Sequence, residues 1–176
     1  FRSTFISKVQ EIPEKLQIDN PIIMVGKDCP QDTIWRNEYI DAYKGNRKKV
    51  NIKPMFKVTY EEKLFEQAGA QFILKYPTLE ADDCIAITAK HLLDIDPSAH
   101  IYIITSDLDY LQLAHERITL LDLKYRKLTD SKTCFNDNKK DLFCKIIAGD
   151  KSDNIPSVFS RCGIKTSAKL YDNPEE

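Results

Sequence analysis

The chain has 176 residues, 42% hydrophobic and 30% charged, which is enough apolar material for one compact domain with a core. Twenty-six Lys and Arg stand against twenty-seven Asp and Glu, so net charge alone neither implies nor excludes a polyanionic partner. No apolar run approaches the roughly 20 residues of a spanning helix, nothing resembles a secretion signal, and five scattered cysteines without a C-x-x-C pair read as reduced thiols. The expected setting is therefore intracellular, with no membrane partner.

The first strand signal is the apolar run Ile22 to Val25, followed closely by Asp28. Aromatic and basic residues then alternate from Trp35 to Lys49, with Lys53 and Lys57 beyond. Helical spacing runs from Glu61 to Tyr76 (Leu64, Phe65, Ala68, Phe72), stops at Pro77, and resumes from Glu80 to Leu93. A second β-branched run, Ile101 to Thr105, leads to Asp107 and Asp109. A short helix from Tyr110 to His115, a strand from Ile118 to Leu123 and a polar loop over Asp130 to Lys140 follow. Helices over Lys139 to Ala148 and Lys165 to Tyr171 close the chain, with Gly149 to Asn154 after the first of them. Strands alternating with helices predict a mostly parallel α/β sheet whose ligand site lies beyond the carboxyl ends of its strands.

Acids gather at those ends. Asp28 stands near the first, Glu80, Asp82 and Asp83 open a helix, Asp107 and Asp109 follow the second, and Asp150 and Asp153 follow a later helix. Taken singly, each group suits helix capping, because carboxylates accept from free N–H groups and complement the macrodipole. Taken together at one mouth, each pair of carboxylates ~5 Å apart repels by roughly 3 kcal/mol at an effective dielectric of about 20, so the set calls for cations. Oxygen donors without histidine at ligand spacing select Mg²⁺ or Mn²⁺, whose shells are completed by water and substrate phosphate. The basic stretch with interleaved rings suits a phosphate backbone and stacked bases, and suits a solvated surface equally well on pattern alone. An acidic centre beside a basic arm would cancel in the charge sum.

Four segments carry a resemblance: YKGNRKK at Tyr43 to Lys49, EADDCIA at Glu80 to Ala86, ITSDLDYLQL at Ile104 to Leu113 and IIAGDKSDNIPSV at Ile146 to Val158. The chain resembles the flap endonuclease and 5′-to-3′ exonuclease superfamily, in its bacterial and bacteriophage branch with a PIN-like, resolvase-like fold. The resemblance implies a catalytic core over residues 1–138 with a basic arch region at 43–60, and a partial helix-hairpin-helix DNA-binding region over 139–176. It implies that Asp28, Glu80, Asp82, Asp83, Asp107, Asp109, Asp150 and Asp153 hold two Mg²⁺ or Mn²⁺, and that Lys44 and Arg47 act on the scissile phosphate. Arg36, Tyr43, Lys48, Lys49, Gly163, Lys165 and Thr166 are then DNA-binding positions, with Tyr43 a stacking ring. The implied activity is two-metal hydrolysis of DNA with 5′ ends, flaps or branches by a monomer, in replication or repair.

Three departures qualify that expectation. The family's opening strand ending in Asp-Gly has no counterpart upstream of Phe1, the stretch from Arg47 to Glu80 is short for a full arch, and Ser157 to Thr166 lacks two hairpin glycines. Lost glycines count against the close backbone approach a hairpin K⁺ needs. Alternatives are a DNA-structure-binding protein with impaired catalysis and a PIN-domain ribonuclease.

Overall fold

Two short parallel strand pairs are present, and acidic residues follow closely on the first strand of each, Asp28 after one and Asp107 after the other. The computed structural model describes residues 1–46 and 53–173, apart from the Lys53 side chain. It falls into two units, Phe1–Trp35 with Lys48–Ile85, and Arg36–Arg47 with Ala86–Glu176.

In the first unit, helix α1 (Arg2–Leu16) precedes strand β1 (Met24–Gly26), helices α2 (Lys53–Glu61) and α3 (Leu64–Gln67), and strand β2 (Phe72–Leu74). Phe5 meets the edge of the Phe65 ring at 4.9 Å, and Arg2 forms an ion pair with Glu62, which fastens α1 beside α3. Strand β1 runs parallel to β2, with Met24 opposite Phe72 and Gly26 opposite Leu74. Leu64, at 1% exposure, is the most buried large side chain among the described residues of this unit. The expected continuous helix from Glu61 to Tyr76 is not formed. Instead α3 ends at Ala68, Gly69 takes φ 103°, and the following residues extend into β2, where they gain ladder hydrogen bonds that a lone helix end would lack.

Helix α4 (Ala81–Ile95) starts in the first unit and ends in the second. The second unit continues with β3 (Ile101–Ile104), a 3-10 helix (Leu108–Leu113), β4 (Ile118–Leu121), α5 (Asn138–Ala148) and α6 (Ile164–Asp172). Strands β3 and β4 are parallel, from Ile101 opposite Ile118 to Ile104 opposite Leu121. Ile103, Leu120, Leu121, Leu111 and Leu113 are buried around them. Two side chains finish the helices. Arg117 donates to the carbonyls of Leu93 and Asp96 (2.9 Å each) at the end of α4, and Asp137 accepts from Lys139 and Lys140 N–H at the start of α5. Among the described residues, the parallel pairing expected of the sheet is present as two separate two-stranded ladders.

Candidate metal centre

The first acidic group is built on close contact between β1 and the first turn of α4. A Cβ at Gly26 would lie 2.7 Å from Ile85 Cδ1 and 2.8 Å from the Ala81 carbonyl, so only glycine lets the strand approach that turn. The strand then delivers Asp28, whose Oδ1 accepts the Ala81 N–H at 2.8 Å and caps α4 from a distant segment. Within the turn, Asp83 Oδ2 accepts from Glu80 N–H (3.1 Å) and from the Trp35 indole N–H (3.2 Å), and Asp82 Oδ1 accepts from Asp83 N–H. Glu80 is only 4% exposed. One oxygen from each of Glu80, Asp82 and Asp83 lies within 4.8 Å of the others, close enough to share a cation. Cys84 sits beside them, but burial, reinforced by Asp83, pushes its thiol up, so it stays protonated and the donors in this corner are carboxylate oxygens. Capping and metal ligation are thus not rivals at this corner: the bonds that cap α4 also aim its carboxylates.

The second group surrounds a cleft of about 480 Å³ lined by Asp107, Asp109, Lys145, Asp150, Ser152 and Asp153 among others. Asp107 follows β3 and caps the 3-10 helix by accepting from Asp109 N–H at 2.9 Å. Gly149 ends α5 at φ 69° and ψ −171°, a conformation nearly confined to glycine, and its missing side chain leaves room for the Ile155 carbonyl, which would stand 2.6 Å from a Cβ. That turn lets Asp150 and Ile155 exchange backbone hydrogen bonds (2.9 and 2.7 Å), closing a small loop. Asp150 Oδ1 accepts from Ser152 N–H and Oγ–H, while its Oδ2 meets Lys145 Nζ at 2.5 Å. The same ammonium reaches Asp109 Oδ1 at 2.6 Å.

Their proton affinities follow from this sharing. Burial pushes Asp150 up, but Lys145 and Ser152 together outweigh it and hold the carboxyl at about 2. Asp109 goes the other way: burial, joined by the charges of Asp107 and Asp150, raises it against the lowering by Lys145. Burial lowers Lys145, yet its two acid partners raise it further. With Ser152 the ammonium satisfies Asp150, and it leaves Asp109 only partly compensated.

The loop also grips the basic segment. Asp153, 9% exposed, accepts the Tyr43 hydroxyl at 3.2 Å, stands 3.9 Å from Lys44 Nζ, and its carbonyl accepts Lys44 N–H at 3.0 Å. Asn46 donates to the Lys151 carbonyl and Asn154 to that of Ala42. Tyr43 is 6% exposed, with Arg36 and Lys44 over its ring, so its aromatic faces are packed against protein groups here; the ring expected to stack on a base instead serves as a buried prop for Asp153. Gly163 precedes α6 with nothing within 4 Å of a built Cβ, and Lys165 and Thr166 lie in the first turn of that helix. Arg47, Lys48 and Lys49 lie outside the described residues.

Lys145, Ser152, Asn46 and Asn154 were not anticipated. A lone lysine among Cys144, Ile146 and Ile147 just before the Gly149 turn is the available sequence signal for the first of them, since a cation in an apolar helix end needs an anionic partner.

With this geometry in place, the model of the 5′-3′ exonuclease N-terminal resolvase-like domain matches residues 2–145. The chain belongs to that family. DNA polymerase I of Treponema pallidum (strain Nichols) is 31% identical over 145 residues, which cover 77% of this chain and 14% of that protein. The chain thus spans about a seventh of the polymerase. Among solved structures, a bacteriophage T5 protein co-crystallised with metal ions superposes with TM-score 0.75 at 22% identity, covering 98% of this chain and 68% of the other. The T5 5′-exonuclease with bound zinc gives 0.74, and the T5 flap endonuclease in a complex with DNA and metal ions 0.73, each at 22% identity over 98% of this chain and 66% of theirs. At that identity these structures show the fold: a resolvase-like α/β domain with parallel strands and flanking helices.

Proposed function

We propose that this chain is the catalytic part of a divalent-metal-dependent nuclease that hydrolyses phosphodiester bonds in DNA bearing 5′ ends, flaps or branches. The observation that carries the reading is the cleft in which Asp107, Asp109, Asp150 and Asp153 converge with Lys145, in a chain of the 5′-3′ exonuclease family. The oxygen donors suit hard cations such as Mg²⁺ or Mn²⁺: Glu80, Asp82 and Asp83, with Asp28, would hold one ion, and Asp107, Asp109, Asp150 and Asp153 another. Bound there, such ions supply an acidified water and neutralise charge on the phosphate. The protein's own part is to fix the carboxylates through helix caps and the closed loop after α5, and to present cations. Lys44, held beside Asp153, is placed to meet a phosphate oxygen, with Arg47 from the same segment as its companion. The region from α5 to α6 serves as the partial hairpin that binds duplex backbone through Lys165, Thr166 and the Gly163 amide, which favours recognition by structure rather than base sequence. Replication or repair inside the cell, as a monomer, is the matching role.

The test is turnover of a labelled 5′-flap duplex by the intact protein with Mg²⁺ or Mn²⁺. Asp82→Ala and Asp150→Ala are each expected to reduce it by about a hundredfold or more while circular dichroism stays unchanged. Cleavage that persists in chelator, or full turnover by both variants, would sink the proposal. Tight metal-independent binding of branched DNA without cleavage would favour a structure-binding protein, and preference for single-stranded RNA a ribonuclease.

A further inference from the structure

The carboxylates of the second group arrive from different elements: Asp109 from the 3-10 helix after β3, and Asp150 from the loop that follows α5. Two like charges so placed repel, and the repulsion rises as solvent is excluded. Lys145 ends this conflict. Its side chain leaves the last turn of α5 and puts one ammonium within 2.6 Å of Asp109 and 2.5 Å of Asp150, at the cleft where both carboxylates open.

We infer that Lys145 is a tethered counter-cation that keeps Asp109 and Asp150 assembled when no divalent ion is bound and is displaced from them when one binds. This rests on the metal reading above. A lysine suits the task because its ammonium is a compact point charge on a flexible four-carbon stem, able to swing aside into the roughly one-third exposed space it already occupies. An arginine would fork onto both carboxylates and let go less readily. Two consequences follow. The metal-free fold avoids the repulsion that an empty cluster of acids would otherwise impose, and metal affinity is lowered by the work of removing the resident charge. Lys145 therefore acts as a positioning residue for Asp109 and Asp150, and it sets the concentration at which the cleft fills.

The experiment compares the intact wild-type protein with Lys145→Met and Lys145→Arg, using Mn²⁺ alone as the probe. Binding is read by calorimetry or by loss of the free-ion electron paramagnetic resonance signal, and melting is followed in chelator and in Mn²⁺. Lys145→Met is expected to bind Mn²⁺ about tenfold more tightly than wild type, since a unit positive charge has left the site, and to melt lower in chelator with the deficit recovered in Mn²⁺. Unchanged or weaker binding by a folded Lys145→Met protein would overturn the inference while leaving the metal reading intact, whereas absence of Mn²⁺ binding by the wild type would overturn both. If Lys145→Met fails to fold in either condition, Lys145→Arg decides. A retained but less mobile charge should keep the wild-type melting temperature in chelator and weaken Mn²⁺ binding several-fold, and wild-type affinity in that variant would refute the displacement.

Discussion

The two acidic groups solve the same electrostatic problem by different means. At the head of α4, Asp28, Asp82 and Asp83 are met by backbone N–H groups and an indole, dipoles that belong to the fold. Beyond α5, Ser152 meets one oxygen of Asp150, but what joins Asp150 to Asp109 is the ammonium of one side chain. Dipoles fixed in a helix terminus stay when a cation arrives and add to its hold on the carboxylates' orientation, while a lysine competes with it. The first group is accordingly a permanent scaffold, and the second has two arrangements available to it.

Breaking the backbone beneath each group separates them most sharply. Gly149→Ala forces a side chain into a conformation that glycine alone tolerates and against the Ile155 carbonyl, so a loss of about 3 kcal/mol is expected in chemical denaturation. The damage should fall on the loop that carries Asp150 and Asp153. Gly26→Ala pushes β1 away from Ala81 and Ile85 and is expected to cost about 2 kcal/mol, with the harm at the α4 corner. A reversal of that order would mean that the loop after α5 yields more easily than its geometry indicates. Asp28→Ala removes one cap and should cost about 1 kcal/mol by the same measurement, since a neighbouring water can replace part of the bond.

Much of this was legible in the chain. Ile101–Ile104 announces itself as a β-branched run and Ile118–Leu121 lies within an expected strand, and the acids sit in short motifs whose clustering needs no knowledge of long-range contacts. Strand β2 was hidden because Leu64, Phe65, Ala68 and Phe72 keep helical spacing across Gly69, and pairing with β1, a tertiary effect, overrides that local preference. Helix α1 gave no signal of its own: among its residues none is buried, and its hold comes from Phe65 and Glu62 far along the chain. Lys145 shows in the sequence only as a cation in an apolar helix end, and its meaning appears when Asp109 and Asp150 stand beside it.

The smallest expected effect supplies a control outside both groups. Asp122 accepts from the Arg126 and Lys124 backbone N–H groups and from the Arg126 side chain, which hold its carboxyl below the usual range, the Arg126 backbone bond foremost. A carboxyl depressed in the folded state contributes stability that is complete above its unfolded value of roughly 3.9 and fades as pH falls toward the folded one. Asp122→Asn should flatten the acid limb of a melting-temperature profile below about pH 4 and leave the neutral plateau unaltered, in Mn²⁺ and in chelator alike. A metal-dependent change would show that this turn communicates with the acidic groups.

The contacts between residues 42–46 and the loop after α5 carry a consequence for how grip and chemistry are timed. Tyr43 and Asp153 are 110 positions apart, yet the phenol, the Lys44 amide and two asparagine amides rivet the segments together. Any shift of the acidic loop is thereby geared to Lys44, so the cation proposed to meet a phosphate and the ledge that would seat an ion move as one part.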